Sequence, residues 1–163
     1  MEKTKEKVFK QTLEEKYGES GKIGDWGEEK VKSHLESLGY EDVQKHKGVQ
    51  RQVKGHDISC KLHGEEHNIS VKTNLKNGKF FVEKSKNKRP GWWIKENARL
   101  YYFVEFKGNK MIEVTKDALE EYILEKNPYY ITYKGTDELY PINEEDFLKY
   151  FKDRKECKLW LDK

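Results

Sequence analysis

Apolar and polar residues alternate with period two in two short segments near the middle of the chain. In Asp57-Ile58-Ser59-Cys60-Lys61-Leu62 the apolar positions are Ile58, Cys60 and Leu62; from Asn68 to Thr73 they are Ile69 and Val71. Each run therefore has one apolar and one polar face, the pattern of a half-buried strand. The polar, glycine-containing stretch His63-Gly64-Glu65-Glu66-His67 between them suits a hairpin loop, which makes the strands antiparallel neighbours. Asp57 and Ser59 share the polar face of the first strand, Ser70 and Lys72 that of the second. If the apolar faces pack on one core the polar faces coincide, and Lys72 is expected close to Asp57. Upstream the period lengthens to that of a helix. Val31, Leu35 and Leu38 follow helical spacing between Gly27 and Gly39, with Gly39 as the stop. Three residues further back along the stripe stands Glu28, a carboxylate whose desolvation needs compensation, whereas Glu29, with Lys32 and Glu36, falls on the solvated face. The alternative reading of Glu28 is that it favours the helix N-terminus through the macrodipole.

The remaining pattern predicts further elements. Phe80-Phe81-Val82 reads as the next strand and Leu100 to Val104 as a buried central one, followed by a Lys107-Gly108-Asn109-Lys110 turn and a return strand from Met111 to Val114. Thr115 is placed to cap a helix carrying Leu119, Tyr122 and Ile123, which stops before Asn127-Pro128. Tyr129 to Tyr133 and Leu139 to Ile142 suggest two short strands, and Asn143 caps a final helix with Phe147, Leu148 and Phe151. The expected organisation is one domain over 1–163: a charged N-terminal helix over 1–20, a core over 22–114, and a C-terminal helix, short strands and helix over 115–163.

Composition narrows the class. A chain of 163 residues is long enough for one domain with a real core and too short for two ordinary ones. With 39% charged and 34% hydrophobic residues, that core must lean on aromatic side chains. Two cysteines, Cys60 and Cys157, give no disulfide framework, and free thiols in a reducing compartment are expected. No apolar run of membrane-spanning or signal-peptide length occurs near either end, so a cytoplasmic protein with no membrane partner is expected. The net charge of +3 hides a local bias. Residues 45–110 hold 16 Lys and Arg against 6 Asp and Glu, an excess of ten, which leaves −7 for the remainder. Lys76, Lys79, Lys84, Lys86, Lys88 and Arg89, separated by Asn and Gly, read as a loop or ribbon able to follow a phosphate backbone. Trp92-Trp93 beside them could stack on unpaired bases, although at least one ring is expected in the core. His56, His63 and His67 lie close in sequence but lack a zinc-site spacing; His56, next to Asp57, is the one most suited to touch a phosphate.

Two carboxylates able to hold a hard dication, beside a lysine that can meet a phosphate or an attacking water, are the minimum for metal-assisted phosphodiester hydrolysis. The residues carrying that set also occur in a known order: Gly24-x-x-Gly27-Glu28 on a first helix, Gly55-x-Asp57-Ile58 on a strand, then Ile69-x-Val71-Lys72 on the next. Over about residues 22–106 this resembles the PD-(D/E)xK, or restriction-endonuclease-like, nuclease superfamily. The resemblance implies an α/β (mixed α+β) fold, with a central mixed sheet of about four to five strands flanked by helices. It also implies DNA cleavage that depends on magnesium, with manganese able to substitute. Asp57 would be the central metal-binding aspartate, Lys72 the catalytic lysine and Glu28 the helix glutamate. Asp57, Glu28 through a water, and the Val71 carbonyl would hold the ion.

The chain departs from that pattern at Ser70. Two residues before the lysine the family has Glu, Asp or sometimes Gln, and a hydroxyl is a poorer ligand for a hard cation. Either another acid takes over, with Glu28 and Glu83 the candidates, or the site has become a binding surface. The leading expectation is thus a magnesium-dependent endodeoxyribonuclease acting as a possible homodimer, because one site cuts one strand. The first rival is a catalytically weak or inactive DNA-binding regulator of the same fold. The second is a protein-interaction module.

Overall fold

The computed structural model describes residues 22–46, 56–86, 89–90, 97–133, 135 and 137–162. The predicted N-terminal helix, Gly55, Lys88 and the Trp92-Trp93 pair lie outside the described residues. Helix α1 spans residues 22–37 and is followed by strands β1 (Glu41–Lys45), β2 (Ile58–Leu62), β3 (Glu65–Leu75), β4 (Lys79–Lys86) and β5 (Arg89–Pro90). After them come β6 (Leu100–Glu105), β7 (Lys110–Thr115), α2 (Lys116–Lys126), β8 (Ile131–Tyr133), β9 (Asp137–Asn143), α3 (Glu144–Tyr150) and β10 (Cys157–Leu161).

The result is a mixed α/β protein with two sheets, where the resemblance implies a single one of about four to five strands. The larger sheet has six strands in the order β1-β2-β3-β6-β7-β10, and the smaller has four in the order β5-β4-β9-β8. Within the larger sheet β3 and β6 run parallel, and every other pair is antiparallel. The predicted β2–β3 hairpin forms with Ile58 opposite Ile69 and Cys60 opposite His67. Its turn is tighter than expected: only His63 and Gly64 leave the ladder, both at positive φ (53° and 80°), and Glu65 to His67 join β3. That is the backbone a two-residue primed turn requires. The Phe80-Phe81-Val82 strand also forms, but as part of β4 in the second sheet, reached from β3 through Asn77 and Gly78 at φ 52° and 74°.

Alternation along β6 divides the interior into two layers. Tyr101 and Phe103 face one side with Ile112, Val114, Phe80, Val82, Leu119 and Phe147; Tyr102 and Val104 face the other with Val31, Leu35, Ile58, Ile69 and Val71. Thus α1 covers one face of the six-stranded sheet, and the smaller sheet with α2 and α3 covers the opposite face. The capping predictions hold for both later helices. The Thr115 side chain accepts from the Ala118 N–H at 3.2 Å and that of Asn143 from the Asp146 N–H at 2.9 Å, while Asn127 closes α2 in the left-handed region. Cys60 and Cys157 are free and buried. Burial pushes their thiols up to about 11 and about 12, so both stay protonated and unreactive at neutral pH. No helix among the described residues is long and apolar enough to cross a membrane.

Candidate active site

The site begins with how α1 seats on the sheet. Gly27, Val31 and Leu35 recur every four residues and are all buried, so the core-facing stripe runs through Gly27, and Glu28 stands on its flank. Leu38, predicted as part of that stripe, is 42% exposed because the helix ends at residue 37 and Gly39 turns the chain at φ 93°. Glu28 is half-buried and Glu29 exposed, as the stripe requires. Because α1 extends back at least to residue 22, Glu28 lies beyond the first turn, where the dipole has largely faded. The same flank carries Asp25 and Glu29, which hold the Lys45 ammonium of β1 at 2.6 and 2.8 Å and so turn it toward the β1–β2 side. The opposite flank faces β10: Lys30 pairs with Asp162 at 2.8 Å, and the His34 ring meets Trp160 edge-on at 4.5 Å.

Two contacts bracket Lys72 along β3, one from α1 and one from Asp57. A Cβ built on Gly27 would lie 1.9 Å from Thr73 Oγ1, so the helix backbone touches the strand one residue after Lys72. On the other side, the Val71 N–H donates to Asp57 Oδ2 at 2.8 Å, fixing the carboxylate against the strand one residue before Lys72. The Asp57 N–H in turn donates to the Ile69 carbonyl at 3.0 Å, and its carbonyl accepts from the His46 N–H at 2.8 Å. Gly27 and Thr73, the neighbours of Glu28 and Lys72, are therefore in contact and Asp57 bonds to Val71, but alternation along β3 turns Val71 and Thr73 toward α1 and places Lys72 on the opposite face of the strand. Asp57 and Ser70 are buried, at 1% and 0% exposure, and Lys72 is half-buried. Val71 is tied to the site by its N–H, a group separate from the carbonyl that the resemblance implies as a metal ligand.

Other candidates lie elsewhere. Glu83 is half-buried on β4 opposite Leu139 of β9, in the smaller sheet. Lys76 and Lys79 are exposed and flank the β3–β4 turn, bridged to each other by backbone bonds of 2.8 and 3.1 Å. Lys84 contacts Glu138 at 3.4 Å and lies 4.1 Å from the centre of the Tyr130 ring. Lys86 and Arg89 belong to β4 and β5 rather than to a loop; their side chains, like the whole of Lys88, are outside the described residues. His56 is 5% exposed, and its Nε2 lies 2.6 Å from Ser59 Oγ, inside the fold rather than presented to a phosphate. His63 is exposed in the hairpin turn, and His67 packs edge-on against Tyr40 at 5.6 Å.

One feature of the site has no signal in the sequence. His46, at the end of β1, also brings its Nε2 within 2.7 Å of Ser59 Oγ, so two buried imidazoles meet on one hydroxyl next to Asp57. A hydroxyl can donate to one ring and accept from the other, which couples the tautomers of His46 and His56. Hydrophobic periodicity does not mark His46, and only the β1–β2 pairing brings it to Ser59.

A hard cation would need oxygen donors. Asp57, Glu28 and the Ser70 hydroxyl offer oxygen only, and magnesium is commonly held by one or two carboxylates with water completing its shell. Among the described residues no three His, Cys, Asp or Glu side chains come together in a metal-binding group, so such an ion would rely on those two carboxylates. Compared with protein-family models, curated proteins and solved structures, the chain has no match.

Proposed function

We propose that this chain is a magnesium-dependent endodeoxyribonuclease of restriction-endonuclease-like fold, with its site at Glu28, Asp57 and Lys72. The observation that carries the reading is the pair of contacts on either side of Lys72: Asp57 Oδ2 held by the Val71 N–H, and Gly27, next to Glu28, packed on Thr73. A mixed sheet with α1 on one face and further elements on the other agrees with the architecture that the resemblance implies.

In this reading Asp57 and Glu28 would hold magnesium, which would supply polarisation of the scissile phosphate and ease proton loss from water. Lys72 orients that water and offsets charge building on the phosphate. Asp57 is pre-organised for its part, since the Val71 N–H fixes the carboxylate before any ion arrives. Lys76 and Lys79, exposed at the turn that ends the Lys72 strand, supply sequence-independent attraction for a DNA backbone.

A second reading, a weak or inactive DNA-binding member of the same fold, is favoured by the fully buried Ser70 where a carboxylate ligand is usual. Incubating the protein with supercoiled plasmid, linear duplex and a four-way junction in magnesium or manganese separates the two. Cleavage supports the nuclease. Intact DNA with salt-sensitive binding selects the second reading, and no binding even at low salt removes both in favour of a protein-interaction module.

A further inference from the structure

Strand β10 ends the larger sheet, and among the described residues no strand flanks its outer side. An open edge is a template for another strand, and proteins usually blunt it with charge, proline or a bulge. Here the edge is Cys157-Lys158-Leu159-Trp160-Leu161, in unbroken register with β7, with Leu159 and Leu161 at 40% and 57% exposure. The Asp162 N–H donates to the Asn109 carbonyl and the Thr115 N–H to the Glu156 carbonyl, both at 2.9 Å. Even-numbered residues of β10 thus turn their backbone groups toward β7, and Leu159 and Leu161 direct theirs outward.

We infer that β10 pairs antiparallel with β10 of a second copy of this chain, about a two-fold axis at Trp160. In that register Leu159 of each copy meets Leu161 of the other, and these are the residues whose free N–H and C=O groups point outward, so both can be exchanged. Lys158 falls opposite Asp162, a charge-complementary pair made twice by symmetry, and Trp160 faces Trp160. The segment Lys158-Leu159-Trp160-Leu161-Asp162 is therefore complementary to its own reverse in charge, apolar contact and backbone parity. The pairing would join two six-stranded sheets into one continuous sheet. It does not depend on the nuclease reading.

Sedimentation equilibrium of the full chain tests the pairing. The wild type is expected to dimerise. Lys158→Glu sets like charges opposite each other at both symmetric positions and should weaken the dimer by about tenfold or more. The double reversal Lys158→Glu with Asp162→Lys should restore it. Because Asp162 also holds Lys30, circular dichroism must show the double variant folded. If it is not, Leu159→Pro decides: it removes an N–H that points outward, leaves the β7 ladder its donors, and should yield a folded monomer. A monomeric wild type, a dimer indifferent to Lys158→Glu and Leu159→Pro, or a folded double reversal that stays monomeric would each overturn the proposal.

Discussion

At the scale of single residues, Ser70 separates an active site from a decayed one. It is wholly buried one residue before the Val71 N–H that holds Asp57. Ser70→Asp adds a carboxylate there, and an uncompensated buried charge should cost about 3 kcal/mol in the presence of a chelator. If Asp57 and Glu28 form a cation site, magnesium should restore much of that loss and stabilise the variant more than the wild type. Equal melting temperatures with and without magnesium would argue against a cation at this position. His34 gives an independent test of the α1 interface. Burial, opposed by the nearby Glu113 and Asp162 carboxylates, holds its imidazole below the ordinary value near 6.5, and its Nε2 has no hydrogen-bond partner among the described residues. A folded state that resists protonation loses stability as pH falls from the unfolded value toward the lowered folded one. Urea unfolding between pH 7 and 5 should show this decline, and His34→Phe should flatten it; an unchanged slope would mean that His34 is not the group responsible. Of these residues, Asp57 and Lys72 were singled out by alternation, and Glu28 by a helical stripe that in the structure runs through Gly27 instead. His34 and His46 were not, because their surroundings come from β10 and β1, strands that the pattern does not reveal.

At the scale of elements, α1 seats on β3 through the close approach of Gly27 to Thr73. Gly27→Ala would gain about 1 kcal/mol of helix propensity. The methyl would collide with Thr73 Oγ1, and overpacking of this kind costs about 1–3 kcal/mol, so a net loss is expected. Thr73→Ala in the same chain should recover stability, since it removes the colliding oxygen, itself buried with no hydrogen bond among the described residues. A double-mutant cycle on urea unfolding checks this; additive effects would mean that the helix does not rest on Thr73. The elements legible in the sequence were those with strong local signals: the β2–β3 hairpin, β6 and β7 around their turn, and the helices capped by Thr115 and Asn143. β1 and β10 escaped notice for different reasons. Glu41-Asp42-Val43-Gln44-Lys45 has a single apolar residue, and its pairing with β2 is irregular between Glu41 and Gln44. β10 does alternate, but with leucines that stay exposed at a sheet edge, where the inward apolar face that defines a strand is incomplete.

For the whole molecule, the six-stranded sheet serves as a platform between two layers, with Lys72 on β3, Asp57 just before β2, Glu28 on α1, and the β10 edge at the end away from β1. The presence of a second sheet could not be read from local pattern. It depends on β3 running through the Asn77-Gly78 turn into β4, which then pairs with β9 some sixty residues away in sequence. The uneven charge was legible directly, and it places exposed Lys76 and Lys79 at the end of the strand that carries Lys72. The proposed role of Lys72 is tested by the rate of plasmid nicking in magnesium by the wild type and by Lys72→Ala, with melting temperatures confirming that both are folded. Nicking by the wild type is expected, with a loss of about a hundredfold or more in the variant. Equal rates in the two proteins, or no nicking by a folded wild type in any divalent metal, would contradict that role.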